Sequence, residues 1–199
     1  MFIPKNFQIT DRRLLKEIME DNSFATIISQ HEGVPCATQL PLLISEDGAQ
    51  ISGHFARPNS QWREIENQIV LALFQGPHSY ISSSWYETNQ SVPTWNYVTV
   101  QAYGKVELID GEEMLRDFQR MVKKYEAPNS GYHLEDMEKK LLDHMSKGVQ
   151  AFRMHITKLE GKAKLSQNHS IERRQRVIEQ LEKRNHLFDQ QIANYMRRL

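Results

Sequence analysis

The sequence predicts an α+β protein that is mainly antiparallel β, with its strands closed into a small barrel and helices at the periphery. Two observations support this class. Short apolar and β-branched runs, such as residues 24–29 (FATIIS), are separated by turn sequences at residues 31–33 (HEG) and 46–48 (EDG), a pattern typical of strands joined by tight turns. At least six such strands are expected along the chain, and closure into a barrel would leave none of them with an open edge.

The first helix, the strands and a short helix between them can be placed in order along the chain. Thr10 or Asp11 is expected to cap a first helix that carries one apolar stripe. The stripe consists of Leu14, Leu15, Ile18 and Met19. Strands are predicted at 24–29, 35–44, 50–54, 69–74, 78–82 and 95–108, with a short helix at 60–67 and a last strand at 151–159.

Helical periodicity returns in the second half of the chain. It predicts a helical hairpin at about 110–150, and a C-terminal helical region that begins near Ser170 and breaks near Asn185. We therefore expect one domain at residues 1–165, with the hairpin inserted in it, and a helical extension at residues 166–199.

Composition and charge limit the classes of function. With 199 residues, 39% of them hydrophobic and 25% charged, the chain is long enough to bury a core and has the composition of a soluble protein. Its formal net charge is zero, so global charge favours no class of partner. Residues 162–199 alone carry a net charge of +5, which suits contact with nucleic acid or with a partner subunit.

Several classes of protein are not indicated. Cys36 is the only cysteine, so no internal disulfide is possible, and its apolar neighbours predict a buried thiol. Neither a membrane span nor a signal peptide is recognisable, so no membrane partner is predicted and a cytoplasmic location is expected. The eight histidines lack metal-site spacing, and nucleophile, Walker and Rossmann motifs are missing. No metal ligand and no catalytic residue is therefore predicted.

Residues 53–97 contain the most unusual chemistry of the chain. All three tryptophans lie there, beside histidines, an arginine and small hydroxyl residues, in the sequences GHFARPNSQW, GPHSYISSSWY and VPTWNY. Aromatic rings beside hydrogen-bond donors and a cation suit a flat, polar, phosphorylated ligand. For the second sequence, a strand with a solvated polar face and aromatics in the core is an equally good interpretation.

The first of these sequences predicts a phosphate site. We expect a strand to end before His54, which leaves His54, Arg57 and Asn59 on the following turn, where an arginine can hold a phosphate through two hydrogen bonds. A solvated surface turn is the competing interpretation. In VPTWNY, the expectation is that Trp95 points inward and Asn96 outward.

Six motifs together give the chain a family resemblance. IPKNF, ATQLPLLI, GHFARPNSQW, FQGPHSYISSSWY, PTWNY and GKAKLSQN occur in this order and strongly resemble the PaiB-type family of FMN-binding negative transcriptional regulators, linked in bacilli to repression of protease synthesis and sporulation. That family belongs to the FMN-binding split barrels, with the pyridoxine-phosphate oxidases and flavin reductases. The resemblance implies a split β-barrel with peripheral helices, a homodimer, and FMN as cofactor in a groove between two subunits.

The resemblance also implies which residues hold the cofactor. They are Thr38, Gln39, Leu40 and Pro41 along the flavin, His54, Arg57 and Asn59 at the phosphate, Trp95, Asn96 and Tyr97 near the ring, and Lys164, Ser166, Gln167 and Asn168 in a closing loop. This loop would also serve to cap a helix. Related oxidases carry an Arg-Lys pair at the phosphate, whereas here Pro58 follows Arg57. One cation instead of two predicts weaker phosphate binding.

Three functions compete. The first is an FMN-binding transcriptional regulator that represses protease synthesis and sporulation genes, the second is an FMN-dependent oxidoreductase or flavin reductase, and the third is a cofactor-free interaction module on the same fold. A DNA-binding surface, for which a solvated helix face is the competing interpretation, would lie on the basic C-terminal helix. Its candidate residues are Arg173, Arg174, Arg176, Lys183 and Arg184. The resemblance ranks the regulator first.

Overall fold

A computed structural model of the chain describes residues 1–88 and 90–199. Its strands are β1 (Gln8–Ile9), β2 (Phe24–His31), β3 (Val34–Pro41), β4 (Leu43–Ile44), β5 (Gln50–Ala56), β6 (Ile69–Ile81), β7 (Thr94–Ile109) and β8 (Val149–Lys164). Its α-helices are α1 (Arg12–Asp21), α2 (Gly111–Tyr125), α3 (Lys139–Ser146), α4 (Ile171–Glu182) and α5 (Leu187–Arg198). The predicted α+β class, with mainly antiparallel strands and separate helices, is confirmed.

The chain forms two compact units. The first unit comprises residues 1–22, 74–101 and 160–199, and the second comprises residues 23–73 and 102–159. The strand order of the sheet is β3-β2-β6-β7-β8-β5-β4, with β1 paired to β8. Each pairing whose register is defined is antiparallel. The predicted domain boundary at residue 165 stays a prediction.

The second unit is built around a hairpin and an apolar core. β2 and β3 are joined by Glu32 and Gly33, which both have positive φ (52° and 76°), as a two-residue hairpin turn requires. Phe55 of β5 packs against Phe152 of β8 with ring centroids 5.1 Å apart, and both side chains are fully buried. The predicted helical hairpin corresponds to α2 and α3.

The first unit contains the N-terminal and the two C-terminal helices. Asp11 caps α1 by accepting a hydrogen bond from the Arg13 N–H (2.8 Å), and the whole predicted apolar stripe of α1 is buried. Ser170 caps α4 as predicted. The hydroxyl of Ser79 in β6 donates to the buried carboxylate of Asp189 in α5 (2.5 Å). Within the described residues, no helix has the length and apolar character needed to cross a membrane.

Three strand predictions differ from the structure. The strand expected at 35–44 is broken at Leu42, whose N–H donates instead to the Ser23 carbonyl (2.8 Å). The two strands expected at 69–74 and 78–82 are one continuous strand, β6. A Cβ at Gly76 would lie 3.0 Å from the Val98 carbonyl oxygen, so this glycine allows close strand approach rather than a turn. The helix expected at 60–67 is two 3₁₀ turns.

Candidate functional site

Of the fourteen predicted cofactor residues, seven lie in the second unit, and two of these belong to a hydrogen-bond network. Thr38 of β3 donates from Oγ1 to Gln61 Oε1 (2.6 Å) and accepts from Asn59 Nδ2 (2.9 Å). Asn59 Oδ1 also accepts from the backbone N–H of Gln61 (3.0 Å) and caps the 3₁₀ turn Ser60–Arg63. The network therefore ties β3 to the turn that follows β5.

Gln61 is the central residue of this network, although no motif in the sequence predicts this role. Its side chain is only 3% exposed. Nε2 donates to the Ile27 carbonyl (3.1 Å) and to Ser29 Oγ (2.9 Å), so the amide is bonded on both its donor and its acceptor side. Glutamine is usually exposed. In GHFARPNSQW, Asn59 is a typical capping residue and so indicates a turn, but no neighbouring residue indicates that Gln61 is buried.

Two guanidinium groups lie near one indole ring at this turn. Arg57 Cζ is 5.4 Å and Arg63 Cζ is 6.0 Å from the Trp62 ring centroid, and Trp62 Nε1 donates to the Arg57 carbonyl (3.0 Å). Both arginines are exposed. Arg57 also donates from Nη1 to Gln150 Oε1 (2.7 Å). Because a guanidinium has five N–H donors, most of those on Arg57 stay available for an anion, and Arg63 supplies a second cation.

His54 does not lie on the turn, so that prediction is wrong. β5 continues to Ala56 and therefore includes His54, whose ring meets Phe118 of α2 edge-on at 5.1 Å. Burial lowers the pKa of the His54 imidazole, since an apolar environment disfavours its charged form. A neutral imidazole attracts a phosphate weakly, so these surroundings disfavour the expected phosphate contact.

The remaining predicted residues of this unit follow one another on β3. Gln39 is exposed, Leu40 is buried and Pro41 is half-buried. β3 stands at the end of the strand order, and β2 is its ladder partner in the described sheet. Backbone groups along its other edge are therefore not used in that ladder and can face a ligand.

Seven predicted cofactor residues lie in the first unit, where Asn96 and Ser166 form a buried pair. Asn96 is fully buried, and its Nδ2 donates to Ser166 Oγ (3.1 Å) and towards Met196 Sδ (3.5 Å). Ser166 has a positive φ of 64° and is 3% exposed. Trp95 is 52% exposed. The expected orientation of Trp95 and Asn96 is therefore reversed, because the Asn96 amide finds its partner in the 164–168 loop.

Lys164 is held against the beginning of β7. Its Nζ donates to the Trp95 carbonyl (2.8 Å) and to the Thr94 hydroxyl. Burial, and to a smaller extent the neighbouring Lys162, lower the pKa of Lys164. Lys162 Nζ itself lies 5.2 Å from the Tyr97 ring centroid. Lys164 and Lys162 therefore place positive charge beside residues 95–97, which are predicted to lie near the flavin ring.

Gln167 shapes the loop that contains it. Its Oε1 accepts from the Leu165 N–H (2.7 Å), and its Nε2 donates to the Ala163 carbonyl (2.6 Å). Asn168 is exposed. Gln167 therefore uses its amide within the loop, whereas Asn168 presents its side chain to solvent.

Most of the candidate DNA-binding cations on and directly after α4 form intramolecular contacts. Arg173 hydrogen-bonds Glu87 through Nε (3.0 Å), and this contact lowers the pKa of Glu87 to about 2. Arg176 pairs with Glu172 (2.9 Å). Of the remaining candidate DNA-binding residues, Arg174 donates to the Met196 carbonyl (3.0 Å), Arg184 lies 3.0 Å from Asp189 Oδ2, and Lys183 is exposed. Four of the five cations thus have partners of their own.

Comparison with solved structures identifies the fold. The chain resembles the flavocytochrome Anf3 from Azotobacter vinelandii, with a TM-score of 0.63 and 16% identity, over 79% of this chain and 69% of the other. It also resembles an FAD and heme binding protein from Mycobacterium smegmatis, with a TM-score of 0.60 and 16% identity, over 79% and 73% of the two chains. The predicted split-barrel fold class is confirmed.

Comparison of sequences identifies the family. The chain is 39% identical to "Protease synthase and sporulation protein PAI 2" of Bacillus subtilis, over 98% of this chain and 96% of that protein. An uncharacterised protein of Aspergillus fumigatus is 30% identical over 67% of this chain and 59% of its own length. The family model described as "Putative FMN-binding domain" matches residues 1–158. The resemblance to the PaiB-type proteins is confirmed, and the chain belongs to this FMN-binding domain family, with FMN as its candidate cofactor.

Proposed function

We propose that the chain is an FMN-binding regulator and that the turn after β5 holds the cofactor phosphate. The observation that carries this proposal is the pair of exposed guanidinium groups of Arg57 and Arg63 beside Trp62. Charge-assisted hydrogen bonds from arginine to phosphate are strong and can be bidentate. The pair supplies the second cation that the sequence motif alone lacks.

The free edge of β3 is proposed to bind the flavin ring. The backbone from Thr38 to Pro41 offers N–H and C=O groups to the polar edge of the ring, and the network of Asn59 and Gln61 holds this strand beside the phosphate turn. When bound, FMN supplies the redox chemistry of a flavin. The residues of the chain bind and orient the cofactor, and none is assigned a catalytic role.

In the homodimer that the family resemblance implies, residues of the first unit are proposed to act in two ways on a flavin held between the two subunits. Trp95 would contact the cofactor because its indole is half exposed. Lys164 would contact it as well, because its ammonium group donates to the Trp95 carbonyl and is therefore held close to the indole. Asn96 and Ser166 are buried against one another. They would therefore act as positioning residues that fix the 164–168 loop rather than as contacts.

Regulation is proposed from the relative in Bacillus subtilis, whose name refers to protease synthesis and sporulation. We propose a cytoplasmic homodimer that represses genes of this kind, with FMN or its redox state altering a surface that contacts DNA or another protein. The pairing of Arg173 and Arg176 with acidic side chains leaves little free charge on α4 for phosphate contacts. This favours regulation through contact with another protein over regulation through direct contact with DNA.

Titration of the cofactor-free protein with FMN and with riboflavin, which lacks the phosphate, tests the proposed site. Removal of one charge-assisted hydrogen bond, at about 1.5–3 kcal/mol, predicts that Arg57→Ala or Arg63→Ala weakens FMN binding about 10- to 100-fold. Riboflavin binding should not change. The matched control is Arg116→Ala, since Arg116 lies near Glu112 and Glu113 of its own helix.

Three outcomes would contradict this assignment. FMN that fails to bind at micromolar concentration would favour the cofactor-free interaction module. Equal weakening of FMN and riboflavin would show that the arginines do not contact the phosphate. Steady consumption of NAD(P)H by the FMN-loaded protein would favour the flavin reductase.

A gel-shift assay tests direct DNA contact. If the chain contacts DNA directly, Lys183→Glu and Arg174→Glu should remove a salt-dependent gel shift, and absence of any shift at low salt would exclude that contact.

A further inference from the structure

The second unit contains an apolar cavity that the proposed flavin site does not use. The cavity measures about 240 Å³ and lies among β5, α2, α3 and the 3₁₀ turn Leu134–Asp136. Phe118, Met121, Met137 and Met145 line it, and none of its described lining residues carries an Asp, Glu, Lys or Arg side chain. The cavity is therefore suited to an uncharged ligand.

His54 provides a hydrogen-bonding group at the wall of this cavity. Its ring meets the Phe118 ring edge-on, with centroids 5.1 Å apart and planes at 75°. Burial lowers the pKa of His54, so at neutral pH the ring is uncharged and has one N–H donor and one acceptor nitrogen. Neither ring nitrogen forms a hydrogen bond among the described residues.

We propose that this cavity binds a small uncharged aromatic molecule that carries one hydroxyl or N–H group, with its ring among the methionines and its polar group on His54. An engineered cavity of about 150 Å³ lined by apolar side chains binds benzene, so the larger volume here has room for a ring with substituents. Methionine side chains are flexible and make favourable sulfur–aromatic contacts. A carboxylate is disfavoured, because no cation lines the described wall and an unpaired buried charge is costly.

The test uses the full-length protein with ¹³C-labelled methionine methyl groups and three probes: p-cresol, toluene and benzoate. We expect p-cresol to shift the methyl signals of Met121, Met137 and Met145. Met19 and Met154 are fully buried and do not line the cavity, so their signals should not move. Loss of one neutral hydrogen bond predicts that His54→Phe weakens p-cresol binding about 2- to 10-fold, with toluene binding unchanged.

Several results would overturn the proposal. The lining methyl groups could stay unshifted up to millimolar p-cresol, Met19 and Met154 could shift equally, or benzoate could bind as tightly as p-cresol. Met121→Trp is expected to fill the cavity and abolish binding, so retained binding in that variant would also contradict it. The wild-type spectra decide the question by themselves if either variant fails to fold.

Discussion

Replacing Gln61 with alanine would test whether the buried amide holds β3 to the turn that follows β5. The change removes the hydrogen bonds from Nε2 to Ile27 O (3.1 Å) and Ser29 Oγ (2.9 Å), and the one that Oε1 accepts from Thr38 (2.6 Å). At about 1 kcal/mol for each bond, with about 0.8 kcal/mol more for each buried methylene lost, the free energy of unfolding should fall by about 3–4 kcal/mol.

Gln68 provides a matched control for this change. The Gln68 side chain makes three hydrogen bonds, with Gln30 N (2.6 Å), Gln30 O (2.7 Å) and Glu64 O (3.2 Å), but these lie at the surface. Water can replace them, so Gln68→Ala should cost less than about 1 kcal/mol. Urea unfolding followed by circular dichroism measures both values. Equal losses for the two variants would refute the reasoning that burial of Gln61 makes its hydrogen bonds important.

Two further predictions concern pH and close packing. Arg173 holds the pKa of Glu87 at about 2, below its ordinary value of 4.5, so this carboxylate stabilises the fold above pH 4.5 and loses that effect as the pH falls towards 2. Urea midpoints of the wild type should therefore fall more steeply over this range than those of Glu87→Gln; parallel curves would contradict the assignment. A Cβ at Gly104 would lie 2.3 Å from the His155 carbonyl oxygen, so Gly104→Ala should lower the free energy of unfolding by about 3 kcal/mol. Gly131→Ala, with nothing within 4 Å of the added atom, should change it little, and similar losses for both would argue against that contact.

Local signals accounted for the parts of the fold that the sequence predicts well. The cap at Asp11 and the hairpin turn at Glu32 and Gly33 each depend on residues that are neighbours in the chain. Gly76 and Pro77 are typical turn residues, so local signals favour two strands where the structure has β6 alone. Their position beside Val98 of another strand depends on tertiary packing, which periodicity does not report.

The candidate site shows the same division between local and distant information. Residue type and motif order point to Asn96 and Ser166, but the burial of the Asn96 amide is accompanied by a hydrogen bond to a residue 70 positions away. Gln61 was missed for a related reason, since its partners Ile27 and Ser29 lie on a strand more than 30 residues away. A sequence identifies polar residues, whereas their burial depends on partners that only the fold brings together.

The turn that follows β5 shows how local structure changes a functional expectation. Within the chain, Pro58 after Arg57 removes the second cation and predicts weak phosphate binding. In the structure, Asn59 caps the 3₁₀ turn, and the turn carries Arg63 to within 6.0 Å of the same Trp62 ring that Arg57 approaches. The cations are thus six residues apart in sequence but share one aromatic neighbour. If both hold the phosphate, each single substitution weakens FMN binding, and the double variant should bind FMN no better than riboflavin.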